Sequence, residues 1–188
     1  MNEVIQAAAE LQAFCEGHRW RFCFIGGLAL QRWGEPRETI DADLTLMTGF
    51  GHEEPFIEAL LSQYRARIGD AKNFAIQNRV LLLYNTAGVG LDVALGALPF
   101  EESAVARSSE FVFPPDTSIR TCSAEDIVVM KSFASRPKDW LDIEGILLRQ
   151  QRVLDWNYIQ AQLLPLITAK EAPEIWSELQ RRRRDAEG

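Results

Sequence analysis

Histidine is nearly absent from this chain: His18 and His52 are the two among 188 residues. A histidine-ligated metal centre is thereby nearly excluded. Cysteine is scarce as well, and Cys15, Cys23 and Cys122 are odd in number, scattered and without a Cys-x-x-Cys pair. That pattern argues against a disulfide framework or a thiolate zinc site. No apolar run approaches the ~18 residues of a membrane span, and the N-terminus has no basic segment followed by an apolar one. The expectation is a soluble, cytoplasmic protein with no membrane partner. Positive charge is in deficit, with 20 Lys and Arg against 27 Asp and Glu, a formal net charge of −7. Non-specific coating of nucleic acid, which relies on many phosphate contacts, does not suit this balance, although a local basic groove does. Repeats and low-complexity segments are lacking too. What remains is 47% apolar, enough for a core and too much for disorder, in a length that fits one domain with or without a helical appendage.

The stretch from Gly26 to Leu44 is the informative one. Gly26-Gly27 follows the apolar run Phe22-Cys23-Phe24-Ile25, and Leu28 to Trp33 reads as a short helix starting at the pair. Glycine lets a backbone approach a ligand closely, and the free N–H groups of a helix start favour phosphate. Asp41 lies fourteen residues beyond Gly27, with Asp43 after it. Read as a strand from Arg37, one face carries Arg37, Thr39, Asp41, Asp43 and Thr45. The other carries Ile40, Ala42, Leu44 and Leu46. Carboxylates at i and i+2 have α-carbons roughly 6.5–7 Å apart, close enough to converge on one hard cation and repulsive without it. Arg37 either pairs with these aspartates or contacts phosphate, and Thr39 shares their face. A phosphate cradle followed by a carboxylate pair points to a metal–nucleotide complex.

The remaining chain gives coarser signals. Residues 3–16 have helical apolar spacing, with Gly17 as the stop; Trp20 to Ile25 is the first strand. Helix 53–66 follows the loop 48–52. Phe74 and Ile76 begin an extended piece, Val80 to Tyr84 reads as a buried strand, and Val89 to Leu95 returns as its hairpin partner across Asn85-Thr86-Ala87-Gly88. Asp92 interrupts this return strand on a small-residue face with Gly90 and Ala94, which suggests a third functional carboxylate in the same sheet as Asp41 and Asp43. Helical spacing reappears at 99–107. A short strand over 118–121 precedes a helix opened by the Ser123/Asp126 capping box, expected to bury Ile127, Met130, Phe133 and Ala134 with Lys131 beside that stripe. A helix at about 138–150 buries Trp140, Ile143, Ile146 and Leu147. Asp155 caps a helix interrupted at Pro165, and the last helix ends in Arg181-Arg182-Arg183-Arg184, read as a solvated end.

Gly26-Gly27, the step to Asp41-x-Asp43 written as Arg-x-Thr-x-Asp-x-Asp, and the later block from Ala124 to Ile143 with Lys131, Arg136 and Lys138-Asp139-x-x-Asp142 together resemble the nucleotidyltransferase superfamily of polymerase-β-like fold. The likeness is to the AbiEii/AbiGii toxin type and spans about Phe22 to Leu147. A departure is Gly26-Gly27 where many members have Gly-Ser, which leaves the contact to backbone amides. The resemblance implies an α/β (α+β) fold: a mixed sheet backed by helices over residues 1–122, then a helical region over 123–188 packed on it. It implies transfer of a nucleoside monophosphate from an NTP to a hydroxyl of an RNA end, a protein or a small molecule, with release of pyrophosphate. Asp41, Asp43 and Asp92 would hold Mg²⁺, with Mn²⁺ as a substitute, and Asp92 would help activate the acceptor. Gly26, Gly27, Arg37, Thr39 and Lys131 would contact phosphate, Asp139 would position nucleotide or acceptor, and an antitoxin protein is an expected partner. The competing expectation is a non-catalytic nucleotide-binding or protein-interaction module of the same fold.

Overall fold

The computed structural model describes residues 3–150 and 153–187. The chain packs as two compact units, one of residues 1–28 and 38–122, the other of 29–37 and 123–188. The short segment 29–37 groups with the helical residues.

The first unit holds the sheet. In chain order it contains α1 (Glu3–Gly17), β1 (Phe22–Phe24), the start of α2 (Gly26–Trp33), β2 (Asp41–Met47), α3 (Glu54–Gln63) and β3 (Arg65–Ala66). These are followed by α4 (Ala71–Asn78), β4 (Val80–Tyr84), β5 (Gly90–Gly96), α5 (Pro99–Arg107), β6 (Ser109–Phe113) and β7 (Thr117–Thr121). The strands form one mixed sheet in the order β3-β4-β5-β2-β1-β7-β6. At its centre β2 and β5 run parallel, while β4 pairs antiparallel with β5 as the expected hairpin. Asn85 shapes the hairpin turn, its Oδ1 accepting from the N–H groups of Ala87 and Val89.

Period-2 alternation sets the sheet's two faces. Ala42, Leu44 and Leu46 of β2 and Leu91, Val93 and Leu95 of β5 point into a core shared with Val4, Ala8 and Leu11 of α1. Leu44, Leu46 and Leu91 are fully buried, each stabilising the fold by about 1.5–3 kcal/mol.

Within this unit the structure departs from the sequence reading in four places. The second strand starts at Asp41, not Arg37, and Ile40 is 79% exposed instead of facing the core. Arg65–Ala66 is a strand rather than the end of the preceding helix, because α3 stops at Gln63. Phe74 and Ile76 lie in a helix, whose buried positions are Ala71 and Ala75, one turn apart. Finally, β6 has no counterpart in the sequence reading; it forms an edge strand on β7.

The second unit is helical: the end of α2, α6 (Ala124–Ala134), α7 (Pro137–Gln150), α8 (Trp156–Ala169) and α9 (Glu174–Glu187). The capping box forms, with Ser123 Oγ accepting from the Asp126 N–H. Its buried stripe is turned from the expected one, however: Ile127, Val128, Lys131 and Ser132 are inside and Phe133 is 38% exposed. On α7 the expected Trp140, Ile143, Ile146 and Leu147 are buried. Asp155 caps α8, which continues through Pro165. The arginine run lies within α9 and is laced to acids: Arg181 and Arg182 to Glu178, Arg182 to Glu144, Arg183 to Glu187. Among the described residues no helix is long and apolar enough to cross a membrane.

Candidate active site

The sheet unit brings Asp41, Asp43 and Asp92 onto one face. Parallel pairing places Asp43 opposite Asp92 and Asp41 opposite Gly90. Neighbouring strands are about 4.8 Å apart, so Asp43 and Asp92 leave adjacent positions on that face, with Asp43 Oδ2 against Gly26 and Asp92 Oδ1 against Arg67. Each is partly exposed, while Ala42, Leu44, Leu91 and Val93 between them are buried. Alternation thus delivers the acids outward because it delivers the aliphatic residues inward.

The glycine pair is fitted to this face. Gly26 begins α2 at φ +57°, and a Cβ on it would overlap the Asp43 carboxylate at Oδ2. A Cβ on Gly27 would stand 2.5 Å from Thr39 Oγ1. The Ile25 N–H donates to Asp43 O at 2.9 Å, fixing the approach. Thus the pair makes room for the side chains of Asp43 and Thr39, a use the sequence reading did not foresee. Thr39 Oγ1 donates to Asp41 O at 3.0 Å and lies 3.4 Å from Asp41 Oδ1.

Asp92 meets a residue that sequence reasoning missed. Arg67, just past β3, donates from Nη1 to Asp92 Oδ1 at 2.5 Å, with both side chains 26% exposed. Burial pushes the Asp92 carboxyl up; the Arg67 charge pulls it down, the Asp41 charge adds to the rise, and the balance lies above the ordinary carboxylate value. A faint signal existed: Arg65 and Arg67 alternate, and both guanidinium groups lie over Tyr84, at 4.7 and 5.7 Å from the ring centroid.

The donor chemistry of the three aspartates fits a hard divalent cation, since all are carboxylate oxygens with no sulfur or imidazole among them. Among the described residues, no three or more His, Cys, Asp or Glu side chains are already gathered as a metal-holding group. Asp92 is turned to Arg67 and Asp43 lies against Gly26.

Arg37, Lys131 and Asp139 occur in the second unit, in a different cluster. Lys131 is 6% exposed and pairs with Asp142 at 2.5 Å and Asp139 at 3.4 Å. Arg37 donates from Nε to Asp142 Oδ1 at 3.1 Å, and Arg136 from Nε to Asp139 Oδ2 at 2.6 Å. Arg37 therefore pairs with an acid, but not with the two aspartates that share its sequence motif. Burial alone would raise the Asp139 carboxyl, yet the Arg136 hydrogen bond and the Lys131 and Arg136 charges hold it below its usual value.

Comparison with known proteins places this geometry. Sixteen chains of solved structures match. The antibiotic-resistance factor ANT(2'')-Ia shares 17% identity at TM-score 0.55, covering 90% of this chain and 93% of that one. An antigenic nucleotidyltransferase-like protein from Paracoccidioides brasiliensis shares 15% at TM-score 0.51, covering 96% and 93%. The lincosamide antibiotic adenylyltransferase LnuA, lincomycin-bound, shares 15% at TM-score 0.52, covering 78% and 96%. At these identities the likeness is one of fold: the α/β nucleotidyltransferase fold. No curated protein matches the sequence. Residues 11–166 match the family described as nucleotidyl transferase AbiEii toxin, type IV TA system. With most of its length inside that match and its aspartates on one face of a nucleotidyltransferase-fold sheet, the chain belongs to the AbiEii nucleotidyltransferase family.

Proposed function

We propose that this protein moves a nucleoside monophosphate from an NTP to a hydroxyl of an RNA end, a protein or a small molecule, releasing pyrophosphate. The observation that carries the reading is the register of β2 and β5, which sets Asp43 beside Asp92 on the face where Gly26 opens α2. Asp41, Asp43 and Asp92 are the residues that would hold Mg²⁺ or Mn²⁺, which when bound would neutralise triphosphate charge and favour in-line displacement. The amides of Gly26 and Gly27 begin a helix and suit the β- and γ-phosphates. Thr39 orients Asp41 through its two short contacts. In the transfer, the acceptor oxygen bonds to the α-phosphorus, the bond from that phosphorus to the bridging oxygen breaks, and the hydroxyl proton passes to the Asp92 carboxylate. Roles for Lys131 and Arg37 at phosphate and for Asp139 in positioning rest on the family motif; all three side chains also carry ion pairs within the helical unit.

The test is incubation with each α-labelled NTP and Mg²⁺ against RNA, protein and small hydroxylated acceptors, alongside calorimetry of NTP binding. Label should pass to one acceptor class, and binding should need the divalent ion. Equal NTP affinity in EDTA would sink the metal reading. Asp92→Asn should bind Mg-NTP but lose transfer by on the order of a hundredfold or more; near-normal turnover removes Asp92 from the chemistry. The family description as a toxin favours a second element, a cognate antitoxin partner. Growth arrest on expression, relieved by one neighbouring gene product, would support it.

A further inference from the structure

Arg67 has no part in the reaction as written, yet its placement is specific. Its backbone N–H donates to Leu82 O at 2.9 Å, and Leu82 is the β4 partner of Asp92. The side chain then crosses β4 to end on Asp92 Oδ1 of β5. Two neighbours permit the crossing. On β5 the residue below the guanidinium is Gly90, where a Cβ would stand 3.1 Å from Arg67 Nη1. The β4 partner of Gly90 is Tyr84, whose ring supports the guanidinium from 5.7 Å.

We infer that Arg67 is a positioning residue for Asp92 that stands where a second cation would act, so that a divalent ion engages the third carboxylate only by displacing it. The inference rests on reading Asp41, Asp43 and Asp92 as a metal-binding face. Three carboxylates on two adjacent strands repel one another, and a guanidinium on Asp92 relieves part of that repulsion. The same charge opposes a divalent ion at Asp92 Oδ1, since two cations at contact distance from one oxygen repel. Arg67 thus keeps the face from taking up two cations until phosphate groups arrive to balance the added charge. Its tether is a backbone bond, so the side chain can leave Asp92 without breaking the strand pairing.

The test uses the whole chain without nucleotide and follows Mn²⁺ uptake by loss of the free-ion paramagnetic resonance signal. Circular dichroism melts confirm that each variant is folded. Arg67→Gln should tighten Mn²⁺ binding by on the order of tenfold, the size expected when one nearby like charge is removed. Arg67→Lys, which keeps the charge, should stay within about threefold of the parent. Adding Asp92→Asn to Arg67→Gln should abolish the gain. If Arg67→Gln binds Mn²⁺ no more tightly than the parent while Asp43→Asn abolishes binding, the role of Arg67 is overturned and the metal-binding face stands. If neither the parent nor Arg67→Gln takes up Mn²⁺, both fall together.

Discussion

The two units treat charge in opposite ways. On the sheet, Asp41, Asp43 and Asp92 are set beside their own kind on a partly exposed face, with Arg67 reaching one of them. Among the helices, Asp139 and Asp142 are buried and interleaved with Lys131, Arg136 and Arg37. In such a cluster each buried acid already meets a cation, and removing Lys131 strands buried charge. Acids on one sheet face instead repel one another, a repulsion that an incoming cation can relieve. The helical cluster has its charges paired within the fold, whereas the acids of the sheet are arranged in a way that suits binding.

Lys131→Met gives the largest expected break in this contrast. It leaves Asp139 and Asp142 buried with a cation missing and should cost about 3–5 kcal/mol in urea unfolding. Asp41→Asn, its counterpart on the sheet, should leave unfolding unchanged or shift it slightly upward while removing Mg-NTP binding. A Lys131→Met protein as stable as the parent would dissolve the distinction.

Gly26→Ala tests how closely the sheet site is built. An L-residue at φ +57° costs about 1–2 kcal/mol, and its Cβ must also displace the Asp43 carboxylate. The expected outcome is a modest drop in melting temperature with loss of Mg-NTP binding in calorimetry. Retained binding would mean that Asp43 need not lie against α2.

The smallest effect is acid sensitivity. Asp139 has its pKa lowered from 3.8 in the folded protein, so its stabilising contribution is full above 3.8. It is lost as pH falls below that value and through the lowered native one. Unfolding free energy followed from pH 5 to about 2 should therefore drop less steeply in Asp139→Asn than in the parent. Identical slopes would detach Asp139 from the ion-pair cluster.

The carboxylate face was legible because strand alternation is a local rule: Leu44 and Val93 had to point inward, so Asp43 and Asp92 had to point outward. Their being nearest neighbours was not legible, since hairpin logic joins β5 to β4 and says nothing of the parallel pairing with β2. Ile40 was misplaced for a related reason. The strand begins only at Asp41; before it, Thr39 bonds to Asp41 and Arg37 is drawn to Asp142, a residue far along the chain. Likewise the stripe of α6 was turned because Lys131 was placed beside it, whereas two buried acids supply the partners that let it stay inside. Arg67 escaped notice because β3 has two residues, too few to display any period.

The parallel pairing of β2 with β5 also bears on how the molecule comes to exist. A hairpin can close as soon as its turn forms, but β2 must wait while α3, β3, α4 and β4 are made and folded before β5 arrives beside it. Closing that long loop carries its entropy cost before any contact repays it. Asp43 and Asp92 therefore become neighbours only when the centre of the sheet zips shut. A chain in which β2 and β5 have not paired carries the three acids without bringing them to one face.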